Sequence, residues 1–206
     1  MTALLLQKIL LHGMPIGIAV NLYPVMYMFD GHNVFFDEDA TFGKSWGMND
    51  YMERTGKQLI IVGVECNHQG NCRLSEYSPV TFENAELGKI RGRGSTTMNW
   101  MVNELKPYID EHFRTLPDRR NTILSGSSMG GLMALYGATA YNSVFQRAAC
   151  LSPSLWVAPG KVMELIARAR IRPDTTIYMD YGENEMANHV ASQAVIPSAV
   201  YLLLTK

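Results

Sequence analysis

The chain has 206 residues, 47% of them apolar, with three cysteines and a net charge of −1. This length is typical of one domain with a sizeable core, so we expect a single domain over residues 1–206 whose first stretch, 1–22, is atypical. The near-zero charge argues against nucleic-acid and anionic-membrane partners. No uninterrupted apolar run reaches the roughly 18 residues of a membrane span. The cysteines are few and odd in number, which fits a reducing compartment better than a disulfide framework. We therefore expect a cytoplasmic protein.

Short apolar runs, each ending in glycine or polar residues, recur along the chain and predict strands. Continuous rather than alternating apolar runs are typical of strands buried on both faces of a parallel sheet. In chain order the predicted strands are 24–31, 59–65, 121–126, 148–152 and 175–180.

Helical spacing appears between these runs. Apolar residues recur every three or four positions from Met98 to Phe113, with Pro107 inside the pattern, and further helices are predicted at 132–141 and 162–169. Strands that alternate with helices predict an α/β fold, a doubly wound and mostly parallel sheet with helices on both faces.

The strongest chemical signal is a Gly-x-Ser-x-Gly pattern from Gly126 to Gly130, centred on Ser128. A predicted strand precedes it and a helix follows, which is the setting of a nucleophile elbow; small flanking residues are needed there to avoid clashes. The alternative is an ordinary glycine-rich turn. We predict that Ser128 is a nucleophile in an α/β-hydrolase fold.

The remaining parts of such a site follow from the same fold. One oxyanion-hole donor is predicted to be the Met129 N–H, and the other the His32 N–H, in the loop after the first strong strand. The acid is expected after the strand at 175–180, where Glu185 is our choice and Asp180 the runner-up.

The chain resembles the esterase family of α/β hydrolases that contains enterochelin and other siderophore esterases, S-formylglutathione hydrolases, and feruloyl and acetyl-xylan esterases. The resemblance rests on the segments 23–33, 43–47, 125–131, 151–156 and 181–185, in that order. It implies a carboxylic-ester hydrolase that acts on a small-molecule ester through Ser128. It also implies that Leu155 and Trp156 lie near the acyl pocket.

The sequence departs from the family at both ends. The first twenty or so residues do not read like the family's opening strands, and the resemblance places the catalytic histidine beyond residue 206. His32 and His68 follow strands at the predicted active-site edge, so they are the in-chain candidates for a replacement base, and His68 is predicted to line the substrate mouth. The alternative function is a catalytically impaired domain that binds an ester or a partner. The resemblance also places the family's last strand beyond residue 206, so the fold is expected to be C-terminally truncated. An uncovered sheet edge favours association, and we therefore leave a homo-oligomer open.

No cofactor and no metal are predicted. Cys66, His68 and Cys72 lie close in sequence but lack a fourth ligand. Gly92 and Gly94 form only a fragment of a dinucleotide fingerprint.

Overall fold

A computed structural model describes residues 6–11 and 21–182 of the chain. These residues form a six-stranded sheet and a separate two-stranded hairpin. The strands are β1 (Leu6–Leu11), β2 (Val25–Phe29), β3 (Ile60–Val64), β4 (Phe82–Asn84), β5 (Gly88–Ile90), β6 (Thr122–Ser127), β7 (Arg147–Leu151) and β8 (Thr176–Asp180).

The large sheet has the strand order β1-β3-β2-β6-β7-β8. Strand β1 is antiparallel to β3, and every other neighbouring pair is parallel. The chain leaves β2 for β3 on one side and later returns to add β6 on the other, so the order reverses at β2. Ligands of doubly wound sheets bind at such a switch point, beyond the carboxyl ends of the strands.

The helices connect the parallel strands, as the sequence predicts for this fold class. They are α1 (Met48–Thr55), α2 (Cys72–Glu76), α3 (Gly94–Trp100), α4 (Lys106–His112), α5 (Met129–Ala140) and α6 (Pro159–Arg168). The α/β prediction, with a mostly parallel sheet and helices on both faces, is confirmed.

The long stripe around Pro107 is interrupted rather than simply kinked. A π-helical turn, Met101–Leu105, joins α3 to α4, and Pro107 lies in the first turn of α4. Because proline lacks an N–H and its ring clashes with the preceding turn, a local change of hydrogen-bond pattern is a physical way to keep the apolar stripe on one face. Met98, Met101 and Ile109 are at most 1% exposed.

Both faces of the sheet are covered. On one face, Val25, Tyr27 and Phe29 of β2 pack into the larger core cluster with α3, α4 and α5. On the other face, Met28 joins a smaller cluster with Met52 of α1. Burial on two faces explains why the strands read as continuous apolar runs.

Several elements lacked a sequence signal. Strand β1 lies in the stretch that did not read like an opening strand, and the hairpin β4–β5 and the short helices α1 and α2 were also unpredicted. Helix α1 has eight residues and fully buries only Met52, with Met48 packed beside it, so its apolar signal is short. None of the helices in residues 21–182 has the length and apolar character needed to cross a membrane.

Candidate active site

Ser128 lies between β6 and α5 in a backbone conformation that residues with side chains rarely adopt. Its φ of 55° and ψ of −118° lie in a region that costs roughly 1–3 kcal/mol for a residue other than glycine. Such strain persists only where the surrounding structure enforces it. The serine singled out by the sequence motif is therefore held in a constrained strand–turn–helix junction.

The glycines beside Ser128 are required by close backbone approaches. A Cβ on Gly126 would lie 2.6 Å from the carbonyl carbon of Gly130, and a Cβ on Gly131 would lie 2.9 Å from the carbonyl oxygen of Leu151. A Cβ on Gly130 would lie 3.0 Å from Cβ of Phe29. The tight turn and the packing of α5 onto neighbouring strands therefore depend on these three residues.

Strained backbone conformations are concentrated at the carboxyl ends of the sheet strands, which we call the switch-point edge. Within residues 21–182, the non-glycine residues with positive φ are Asp30, Ser128 and Ser152, at 60°, 55° and 43°. They directly follow β2, β6 and β7, whose carboxyl ends meet at the switch point. Strained residues cluster at functional sites, so this edge is the candidate active site.

Ser154 is the hydrogen-bond partner of the predicted nucleophile. Its Oγ lies 3.1 Å from Ser128 Oγ, and its backbone N–H donates to the Ser128 carbonyl oxygen at 3.0 Å. Ser154 is only 2% exposed. Ser154 lies inside the 151–156 motif but was not predicted, because the resemblance connects that motif only with Leu155 and Trp156.

The structure separates the two residues predicted to line the acyl pocket. Leu155 is 2% exposed and belongs to the larger core cluster. Trp156 is 37% exposed, so its side chain reaches the surface. Their roles toward a substrate stay predictions.

The two predicted oxyanion donors belong to neighbouring turns. Met129 is the first residue of α5, where backbone N–H groups have no acceptor within the helix. His32 lies in a 3-10 turn, Gly31–Asn33, directly after Asp30. A Cβ on Gly130 would lie 3.2 Å from Asp30 Oδ2, so the turn that contains His32 and the turn that contains Ser128 pack against each other.

The Asp30 carboxylate is the anchor of the His32 turn. It is buried and accepts from Arg73 Nε at 2.6 Å and from Arg73 Nη2 at 2.8 Å. The backbone N–H of Asp30 donates to the Tyr77 hydroxyl at 3.1 Å. These contacts fix the strained residue that positions the loop next to Ser128.

The side chain of His32 turns toward Glu65, which follows β3. Its Nδ1 lies 2.7 Å from Glu65 Oε1, and its Nε2 lies 2.9 Å from Thr41 Oγ1. The hydrogen bond to Glu65 raises the pKa of His32. Burial opposes ionisation of Glu65, but hydrogen bonds from His32 and the Cys66 amide outweigh it and lower the pKa of that carboxyl.

His68 approaches the same carboxylate from the surface. Its Nε2 lies 3.0 Å from Glu65 Oε1, and its side chain is 56% exposed. His32 and His68 therefore meet at Glu65, and neither is hydrogen-bonded to Ser128 in the described part of the chain. Their proposed use as a replacement base stays a prediction.

The predicted acid Glu185 lies outside the described residues, and so do two of the chain's five histidines, His12 and His189. Asp180, the runner-up, ends β8: its Oδ1 accepts from the Ser152 N–H at 3.2 Å and its Oδ2 from the Tyr178 hydroxyl at 3.0 Å. His112 is exposed on α4, where its Nδ1 lies 2.8 Å from the Tyr108 carbonyl oxygen.

Comparison with known proteins agrees with this architecture. Residues 18–199 match the family described as "Esterase: Putative esterase". This match covers most of the chain, including the doubly wound sheet and the strained serine at its switch point. The chain belongs to this esterase family.

Individual relatives are distant and longer. The protein YbbA of Bacillus subtilis (strain 168), described as uncharacterized, is 22% identical over 166 residues that cover 79% of this chain and 62% of YbbA. The crystal structure of an IroE-like serine hydrolase from Shewanella oneidensis superposes with a TM-score of 0.67 at 20% identity, over 89% of this chain and 58% of that protein. The BES protein from Bacillus cereus gives a TM-score of 0.66 at 25% identity, over 94% and 72%. The chain thus spans less than two thirds of YbbA and of the IroE-like hydrolase.

Proposed function

We propose that this chain carries the nucleophile of a carboxylic-ester hydrolase that acts through an acyl-enzyme on Ser128. The observation that carries the proposal is the enforced backbone strain at Ser128 between β6 and α5, with glycines where any side chain would clash. Membership of the esterase family supports the same reaction class. The substrate is a small-molecule ester.

The proposed reaction uses groups at the switch-point edge. Ser128 Oγ attacks the ester carbonyl carbon, a general base takes the Oγ proton, and the alcohol leaves after protonation. Backbone N–H groups of Met129 and His32 donate to the oxyanion of the tetrahedral intermediate. Water then attacks the acyl-serine, which releases the carboxylic acid and restores the Ser128 hydroxyl.

Covalent labelling of Ser128 tests this proposal directly. We expect a fluorophosphonate ester to add one label to the chain, located at Ser128 by peptide mass spectrometry, because a serine in an elbow is exposed to electrophiles and oriented for attack. The Ser128→Ala variant should take no label. The neighbouring Ser127→Ala variant, which changes a serine in the same strand end, should be labelled as the unaltered chain is.

Equal labelling of the Ser128→Ala variant and the unaltered chain would contradict the proposal. A second candidate function, an ester-binding domain with little turnover, is favoured by one observation: within the described residues the Ser128 hydroxyl is paired with the Ser154 hydroxyl and not with a histidine. Stoichiometric labelling of Ser128 without turnover of p-nitrophenyl acetate would select that second function.

A further inference from the structure

Four side chains with metal-binding atoms meet beside the His32 turn. The ligand atoms of His32, Glu65, Cys66 and His68 all lie within 4.8 Å of one another. The sequence predicted no metal, because Cys66, His68 and Cys72, which are close along the chain, lack a fourth ligand. The fold instead brings His32, from the loop after β2, onto the end of β3.

We propose that His32, Glu65 and His68 form a binding site for a divalent transition-metal ion, of which Zn²⁺ is the best match. Two imidazole nitrogens and one carboxylate oxygen are a ligand set that zinc uses in open sites, with a further position for water or another ligand. Softness and geometry favour zinc over magnesium or calcium, which take oxygen ligands.

The distances between the nitrogen and oxygen atoms of His32, Glu65 and His68 are slightly shorter than those between the ligands of a bound zinc ion. Both imidazoles converge on Glu65 Oε1, at 2.7 Å from His32 Nδ1 and 3.0 Å from His68 Nε2. Zinc-bound ligand atoms at about 2.0–2.1 Å from the metal stand roughly 3.3 Å apart in a tetrahedron. If the side chains move apart by a few tenths of an ångström, an ion fits between the three groups. The His68 side chain is exposed, so it has the freedom to make this movement.

The Glu65 carboxylate can accept more hydrogen bonds or metal contacts than the described residues supply. Its Oε1 accepts from the Cys66 N–H at 2.9 Å and faces both histidines. Its Oε2 is buried without a hydrogen-bond partner among the described residues, on a side chain only 4% exposed. Buried carboxylate oxygens are normally satisfied, so an unpartnered oxygen on the carboxylate that both histidines approach points to a cation.

The residues around the proposed ligands can hold the His32 ring in place. A histidine that binds metal through one nitrogen normally uses its other N–H in a hydrogen bond that fixes the ring. If Nδ1 of His32 binds the ion, its Nε2–H donates to Thr41 Oγ1, which already lies 2.9 Å away. The Cys66 thiol is directed to Asp30 Oδ1 at 3.7 Å, so we assign the coordination to the other three residues.

Titration of the metal-depleted, untagged chain with zinc chloride in a calorimeter tests the site. We expect saturable binding of one zinc per chain, and a rise in melting temperature that grows with zinc concentration. His68→Ala should weaken zinc binding at least about tenfold, the loss typical even of outer-shell partners. His112→Ala is the matched control, because it removes another exposed histidine and should leave the affinity unchanged.

His68 is exposed, so its alanine variant keeps the fold, which circular dichroism checks; Glu65→Gln, which keeps size but removes the charge, is the second variant and should also lose binding. The proposal is overturned if the unaltered chain binds no zinc, or if His68→Ala binds as tightly as the unaltered chain. Binding held by the thiols or by the active-site serine turn would survive in His68→Ala. Fluorophosphonate labelling of Ser128 is scored separately, so failure of the zinc site and failure of the proposed esterase reaction are distinguishable.

Discussion

Replacing Arg73 with leucine is expected to lower the free energy of unfolding by about 3 kcal/mol, the lower end of the cost of breaking a buried ion pair. The variant leaves the Asp30 carboxylate, which is 3% exposed, without its two charged hydrogen bonds at 2.6 and 2.8 Å. Arg73 itself is 30% exposed, so water replaces part of what is lost, and this keeps the effect from being larger. Urea unfolding followed by circular dichroism measures the change.

Two controls separate the buried charge from the loss of an arginine. Lys44→Leu breaks the ion pair with Asp37, in which the lysine side chain is 81% exposed and the aspartate side chain 49% exposed. It should lower the free energy of unfolding far less than Arg73→Leu does, because water and salt screen an exposed pair. The double variant Asp30→Asn with Arg73→Leu should regain part of the stability, because asparagine carries no charge and tolerates the left-handed conformation of residue 30. An unfolding free energy of Arg73→Leu equal to that of the unaltered chain would refute the importance of this pair.

Gly126→Ala is expected to destabilise the chain by about 3 kcal/mol, at the upper end of typical overpacking costs. The added methyl group would lie 2.6 Å from the carbonyl carbon of Gly130 and 2.7 Å from its oxygen. These are backbone atoms at the first turn of α5, so no side-chain rotation relieves the contact. We expect the variant to shift Ser128 as well, and therefore to lose fluorophosphonate labelling under conditions where it is still folded.

Gly160→Ala is the matched control for this change. Gly160 lies in the first turn of α6, and a Cβ there meets nothing within 4 Å. Alanine should therefore stabilise the chain by about 0.5 kcal/mol, because it restricts the unfolded state. If urea unfolding gave Gly126→Ala the same stability as Gly160→Ala, the steric account of the elbow would be wrong.

The sequence predicted the sheet strands β2, β3 and β6 because most of their residues are buried, and this burial leaves a local record, a continuous apolar run. It also predicted β7 and β8 from their apolar runs, although neither strand is buried on both faces and β8 has no buried residue. It failed for β1, which pairs antiparallel at the sheet edge and lies in an apolar stretch with no distinct strand pattern. It also failed for α1, an eight-residue helix that fully buries a single methionine and therefore has only a short apolar pattern.

The difference between local and distant contacts also divides the candidate site. The turn at Ser128 could be predicted because its glycines and its serine are neighbours along the chain, and their spacing reflects the sterics of one tight turn. Ser154 and Glu65 could not be assigned in this way. They contact Ser128 and His32 across 26 and 33 residues, and nothing in their immediate sequence records those contacts.

The amino-acid sequence by itself determined that the chain forms a mostly parallel α/β sheet and that Ser128 lies in a tight turn between strand and helix, because both depend on the preferences of consecutive residues. Only the tertiary structure decided which side chains surround that turn. The strand order sets β2 between β3 and β6, and this order brings the Asp30–His32 loop against α5 on one side and against Glu65 on the other. Side-chain partners at strand ends follow from how strands are arranged in space, and that arrangement is set by the packing of the whole core.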